Sequence, residues 1–382
     1  MKIVYVYSTM AVAGGTERMI TEKANYFSDC YGYDVTIITC FQRADEKNYF
    51  YTSKNVKQIN LEIPFFSQYQ IKYPLRLLAK WRMYKLLNKC INEIVKQIDP
   101  DILIGVSRFN ANIVSTIKCK AKKIIECHEV KYNTIHDAGL KRSLLTKILE
   151  RIFANNYFNT IERNADAVIT LTEGDKSLWK KAKCTIVIPN FSTTPINKLS
   201  DCTSKRIIAV GRLAWEKGFE RLIEIWGMVA SNHTDWHLDI YGEGRMYDKL
   251  MHMKKIYKAE NLTIHNCTSD ISREYANSSI CAVTSHFEGF SLVLLEAMRH
   301  GLPCIAFDCP FGPRSIIDDG INGFLIDNDD KKAFAEKLCY LIENIELRIK
   351  FSKAAVRKSS VFEKDSIMQQ WKYLFEQLCT EQ

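Results

Sequence analysis

Residues 206–226 read RIIAVGRLAWEKGFERLIEIW. Arg206 to Val210 is an apolar run of strand length, Gly211 opens a tight turn, and beyond Gly218 the apolar residues recur at helical spacing. A strand, a glycine turn and a helix make half of a β-α-β unit, in which successive strands run parallel and helices cover the sheet. The same alternation continues toward the C-terminus, with strands expected at His237 to Tyr241, Leu262 to His265, Ile280 to Thr284, Cys304 to Phe307 and Gly323 to Ile326. Toward the N-terminus it stops at a polar stretch, Pro189 to Lys205, and resumes beyond it. There Lys2 to Tyr7, Asp34 to Cys40, Ile102 to Val106, Lys123 to Cys127 and Ala167 to Leu171 read as strands, with Glu17 to Tyr31 and Tyr84 to Ile98 as helices between them.

A chain of 382 residues exceeds one ordinary core. The expected fold is therefore α/β, with two doubly wound domains at residues 1–190 and 206–360, a linker at 191–205 and a C-terminal helix at 361–382. Such folds hold ligands at the carboxyl ends of the strands, so loops after strands carry the candidate site residues. With 47% hydrophobic and 25% charged residues and only 8 prolines and 16 glycines, disordered and collagen-like classes are excluded.

The thirteen cysteines are scattered, and none stands at a zinc or thioredoxin-like spacing. They read as reduced thiols of a cytoplasmic protein. The apolar start before Ala11-Val12-Ala13 imitates a short leader, but Ser8 and Thr9 interrupt it and it flows into Gly14-Gly15, as a first strand feeding a ligand loop does. No run approaches the ~18 apolar residues of a spanning helix, so membrane contact is expected to be peripheral.

Charge is uneven. Residues 1–190 hold 29 Lys and Arg against 18 Asp and Glu, whereas 191–382 hold 24 against 26. Between Glu62 and Glu93 stand Lys72, Arg76, Lys80, Arg82, Lys85 and Lys89 with no acid among them, interleaved with Leu75, Leu77, Leu78, Trp81, Met83, Leu86 and Leu87. On a helical wheel the basic residues form two arcs separated by two apolar arcs, so the segment is either a domain helix with a solvated basic edge or a contact for an anionic membrane surface. No helix-turn-helix, ribonucleoprotein or zinc-finger pattern accompanies the charge, and no nucleic-acid partner is expected.

Several loops carry chemistry. Gly14-Gly15 follow the first strand and open a helix, where backbone N–H groups and the helix dipole face an anion. The turn is not G-x-G-x-x-G and the second strand lacks a ribose-binding acid, which argues against a nicotinamide enzyme. Arg212 and Lys217, about one turn apart beside glycines, suit a pyrophosphate. Gly242 to Gly244 form another strand-to-helix turn. Glu288-Gly289-Phe290-Ser291 leads into an apolar helix carrying Glu296. Two carboxylates brought to one helix start repel each other, which is costly unless something binds there. Asp327-Asn328-Asp329 resembles a metal-binding Asp-x-Asp but precedes the helical segment Lys331 to Leu341, so it is read as a helix cap and no metal is expected.

Taken together, Gly14-Gly15-Thr16-Glu17, His128-Glu129, Gly211-Arg212 with Lys217-Gly218, Gly242 to Gly244, the Glu288/Glu296 pair and the block Ser285 to Ile326 resemble glycosyltransferase family 4. The resemblance implies a GT-B fold of two Rossmann-like domains with C-terminal helices returning toward the first. It also implies retaining transfer from a nucleoside-diphosphate sugar, without metal or other cofactor. Position by position, it implies that Gly14, Gly15, Arg212, Lys217, Phe290 and Ser291 bind the donor diphosphate, that Glu296 binds the ribose, and that Gly242 and Asn266 lie near the base. His128 and Glu288 would be the catalytic residues. Uridine diphosphate is the implied nucleotide, and a glycan or lipid-pyrophosphate glycan acceptor in surface polysaccharide, capsule or lipopolysaccharide synthesis is expected at the inner face of the cytoplasmic membrane. Departures occur at Asn266-Cys267, where the family often has Gly, and at Arg314-Ser315, where it often has an acid. The alternatives are a transferase acting on a small soluble acceptor and a non-catalytic nucleotide-sugar binder.

Overall fold

Along β1 (Lys2–Tyr7), Ile3, Tyr5 and Tyr7 join one buried cluster and Val4 and Val6 another. A strand apolar on both faces must lie inside a sheet covered on both sides. The computed structural model describes residues 1–72, 75–129, 131 and 157–380, and among them β1 is a central strand. Its sheet holds β2 (Asp34–Thr39), β3 (Lys57–Asn60), β4 (Ile102–Val106), β5 (Lys122–Glu126), β6 (Ala167–Thr170) and β7 (Thr185–Val187), all parallel, in the order β3-β2-β1-β4-β5-β6-β7. A second parallel sheet has the order β10-β9-β8-β11-β12-β13, from β8 (Arg206–Val210), β9 (His237–Tyr241), β10 (Leu262–His265), β11 (Ile280–Val283), β12 (Cys304–Asp308) and β13 (Gly323–Asp327). These are two doubly wound, Rossmann-like units, as the alternation implied.

Strand order reverses beside β1 and again beside β8, so the loops after β1, β4, β8 and β11 open at the two switch points where ligands of such sheets sit. The expected strands recur with ends shifted by a residue at most. Two edge strands, β3 and β7, are additional. Each is three or four residues long and only half buried, too short and too polar for periodicity to single out.

The first half carries the helices α1 (Gly15–Asp29) and α2 (Leu75–Ile98). α2 starts nine residues before the helical pattern was expected to begin, and the reason is how it packs. Leu87, Ile91 and Val95 face the core, while Leu75, Leu78, Trp81 and Leu86 stay exposed, on the same side as Arg82, Lys85 and Lys89. The two apolar arcs thus have different fates, one in the core and one in solvent among the cations.

The two halves are fastened at both crossovers. The polar stretch after Pro189 is no free tether, because Phe191, Ser192 and Thr194 are buried. At the far end the helix Lys364–Thr380 returns to the first half, where Ile367, Met368, Trp371, Phe375 and Leu378 share a core with Ile3, Tyr5, Met19 and Phe27. Lys364 pairs with Glu22 at 2.8 Å and Asp365 accepts from the Tyr26 hydroxyl at 2.7 Å.

Candidate active site

A cavity of about 380 Å³ opens between the carboxyl ends of the two sheets. The first half supplies Tyr7 from the end of β1, Gly14 and Gly15 from the turn into α1, Glu17 from its first turn, and His128 and Glu129 from the loop after β5. The second half supplies Arg212 and Lys217 after β8, and Glu288 to Val293 at the start of the helix Leu292–Arg299. Of the residues singled out in the sequence, Gly14, Gly15, His128, Arg212, Lys217, Glu288, Phe290 and Ser291 meet here.

The two walls approach closely at Gly289. A Cβ on Gly289 would lie 2.3 Å from the carbonyl oxygen of His128, so only glycine lets the two loops approach this closely. That contact holds the Glu288 loop against the His128 loop.

On the C-terminal wall, the Lys217 ammonium lies 2.7 Å from Glu288 Oε1, and the Ser285 hydroxyl donates to the same oxygen at 2.7 Å. Arg212 is 69% exposed and pairs with Glu216 at 3.0 Å, which leaves it free to swing toward an anion. Ser291 occupies the cap position of the helix Leu292–Arg299, yet its hydroxyl caps no backbone N–H and is a buried polar atom without a partner among the described residues. The first N–H groups of this helix therefore face the cavity unserved by a side chain, beside two cations, which is an anion-binding arrangement.

On the N-terminal wall, Tyr7 donates to Glu17 Oε1 at 2.7 Å. The His128 ring is 4% exposed, with Nε2 2.8 Å from Glu126 Oε1. Burial, aided by the nearby Lys23 charge, pushes its pKa down to about 3, so the imidazole is neutral.

Three expected site residues lie elsewhere. Glu296 projects one turn along the helix but does not line the cavity. Its Oε1 accepts from Arg18 at 2.7 Å and Thr194 at 2.9 Å, and its Oε2 accepts from Tyr275 at 3.2 Å. Gly242 follows β9 and is packed against the Gly211 carbonyl, and Asn266 is exposed beyond β10. The Asp327-Asn328-Asp329 triplet is not the helix cap. Asp330 is, its carboxylate accepting from the Ala333 N–H at 3.0 Å, while Asn328 and Asp329 face Arg221. The positive φ of Asp329 places the turn one residue later than the sequence pattern implied.

Residues that sequence reasoning missed are Tyr7, Asn190, Arg18, Lys23 and Glu126. The first two line the cavity, Arg18 ties up Glu296, and the last two lie behind His128. Lys23 did leave a signal: it occupies a position in the apolar stripe Met19, Ile20, Ala24, Phe27 of α1, where a lysine must find a counter-charge.

Residues 193–358 match the family model "Glycosyl transferases group 1". An uncharacterized glycosyltransferase of Haemophilus influenzae is 29% identical, covering 97% of this chain and 99% of its own. The amylovoran biosynthesis glycosyltransferase AmsD of Erwinia amylovora is 27% identical over 97% and 98% of the two chains. In three dimensions, S. aureus TarM, solved with fondaparinux, alpha-GlcNAc-glycerol and UDP, superposes with a TM-score of 0.77 at 17% identity, over 98% of this chain and 99% of that one. Two facing Rossmann-like units, a group 1 match across the second of them and relatives that align over nearly the whole chain lead to one conclusion: the chain has the GT-B fold, and it is similar along its length to glycosyltransferases.

Proposed function

We propose that this enzyme transfers a hexose or N-acetylhexosamine, with retention and without metal, from UDP to a lipid-pyrophosphate-linked glycan during synthesis of a bacterial surface polysaccharide. The observation that carries the reading is the meeting of Arg212, Lys217 and the N-terminus of the helix Leu292–Arg299 on one wall, with neutral His128 on the other. Breaking the bond from an anomeric carbon to diphosphate builds negative charge on the leaving group and positive charge on the sugar ring. The two cations and the helix N–H groups of Ser291 and its neighbours answer the first, already oriented before the reaction begins. Glu288, held by Lys217 and Ser285, accepts hydrogen bonds from donor sugar hydroxyls, and His128 orients the sugar and the incoming acceptor. The acceptor attacks the face that the diphosphate leaves, and the leaving phosphate takes the acceptor's proton. Glu296, the candidate ribose partner, then exchanges one of its present partners for the nucleotide.

The names of relatives support the substrate class: one serves amylovoran biosynthesis, and TarM was solved with UDP. The exposed face of α2 supports the place of work. Among the described residues no helix is long and apolar enough to cross a membrane, but Leu75, Leu78, Trp81 and Leu86 stand among lysines and arginines, as on a helix lying in the headgroup region of an anionic cytoplasmic leaflet.

The test is a thermal-shift series with uridine, guanosine, adenosine and thymidine diphosphates, followed by transfer assays in excess chelator. The largest shift with uridine diphosphate and turnover that survives chelation are expected. A larger shift with guanosine diphosphate overturns the donor assignment, and turnover abolished by chelator and restored by manganese overturns the metal-independent reading.

A further inference from the structure

Behind His128 lies an ionic cluster that the transfer chemistry does not use. Glu126, the last residue of β5, is fully buried, and its Oε1 lies 2.8 Å from His128 Nε2 and also takes the Lys23 ammonium. Lys23 is 2% exposed. Its ammonium stands 4.6 Å from the centroid of the Trp371 ring, contributed by the returning C-terminal helix. Glu126 Oε2 is buried without a partner among the described residues. A buried ion pair adds little to stability compared with apolar residues of the same shape. Its presence directly behind a ring that lines the cavity calls for another explanation.

We propose that Lys23 and Glu126 are positioning residues for His128, holding its ring as the neutral tautomer that carries its proton on Nε2 and keeps Nδ1 as a bare acceptor. The inference rests on the assignment of His128 to the reacting centre. A carboxylate facing Nε2 takes that proton, because only the N–H form of this nitrogen gives it a hydrogen bond. Glu126 alone would also draw a second proton onto the ring, since a carboxylate favours imidazolium. Lys23 cancels that pull by neutralising Glu126 with its own positive charge. The other charges around the ring are Glu17 on α1, the adjacent Glu129 and, across the cavity, the Lys217–Glu288 pair. The acids among them favour protonation, and the ring is kept neutral by its burial first and, among the charged groups, by Lys23. A neutral imidazole with a bare Nδ1 can accept a hydrogen bond from a sugar or acceptor hydroxyl, whereas imidazolium cannot and would repel the positive charge developing on the sugar ring.

Two measurements test the proposal. The first uses the unaltered protein: ¹⁵N-histidine spectra from pH 5.5 to 8.5 report tautomer and charge with no need of turnover. His128 is expected neutral throughout, with the proton on Nε2. A proton on Nδ1, or an imidazolium at pH 6, overturns the proposal. The second is Lys23→Met, which keeps the stem and removes the charge. The histidine pKa should then rise, so that kcat falls on the acid side of the profile, at pH 6 below its value at pH 8, while the unaltered enzyme stays level and donor KM hardly moves. A folded Lys23→Met protein with an unchanged kcat profile and unchanged histidine spectra also overturns it. If the variant does not fold, the spectra of the unaltered protein decide. Should no nucleotide sugar be turned over by the unaltered enzyme, the transferase assignment fails while the spectra still judge the tautomer.

Discussion

Lys217 and Arg212 stand on the same wall of the cavity but in different circumstances. Lys217 is mostly shielded and already held by Glu288 at 2.7 Å, while Arg212 reaches out from an exposed turn. Both lie outside the core, so Lys217→Ala and Arg212→Ala are expected to melt within a few degrees of the parent and to lose turnover. Loss of a charge-assisted contact to a leaving diphosphate costs about 2–4 kcal/mol in the transition state, or roughly 30- to 1000-fold in kcat/KM. Near-normal turnover in either variant removes the diphosphate assignment. His128 gives a pH prediction of definite sign. Its folded pKa of about 3 lies below the unfolded value near 6.5, so between these values the unfolded chain binds the extra proton, and stability falls as pH drops below ~6.5. Urea midpoints measured from pH 7 to pH 4.5 should fall more steeply for the parent than for His128→Gln, and equal slopes would show that His128 is not the group responsible. At this scale the sequence was legible where a residue type and a loop position coincide, as for Arg212, Lys217 and Glu288. It was opaque about the partners of Arg18 and Lys23, because Glu296 and Glu126 are 278 and 103 residues away.

Among the secondary-structure elements, α2 shows most plainly what a pattern leaves open. Its wheel held two apolar arcs, and only the tertiary structure says that one carries Leu87, Ile91 and Val95 into the core while the other keeps Trp81 54% exposed, with the Lys85 ammonium 3.8 Å from its ring centroid. Replacing Lys80, Arg82 and Lys85 together by Glu leaves the buried face untouched. The triple variant should pellet far less with anionic vesicles at low salt while still hydrolysing donor. The parent should be released as salt shortens the Debye length below ~10 Å. Loss of nucleotide binding in the variant would make this a structural helix and remove the support for a membrane surface. The β-strands, by contrast, were read to within a residue, because a parallel sheet buried on both faces demands continuous apolar runs. The edge strands β3 and β7 escaped because an edge makes no such demand.

The two halves of the molecule are joined by a clasp centred on Glu296. Arg18 of α1 binds Glu296 and the hydroxyls of Thr193 and Thr194, so helix, crossover and second domain meet at one guanidinium. Arg18→Ala leaves a largely buried carboxylate without its cation, at a cost of about 1–3 kcal/mol. Its urea midpoint should drop accordingly, and an unchanged midpoint would mean that the clasp carries no net stability. The C-terminal helix has a consequence in time as well as in space. Synthesis proceeds from the N-terminus, and domains generally fold as they emerge. Here, however, the nascent first sheet leaves the ribosome with the wall formed by Ile3, Tyr5 and Phe27 still bare, and Lys23 without the ring of Trp371. The second domain can close on its own residues, but the first must wait for residues 364–380 before its core is complete. The half of the enzyme made first is therefore finished last, and during that interval its uncovered apolar wall is the part of the newborn chain that a chaperone would recognise.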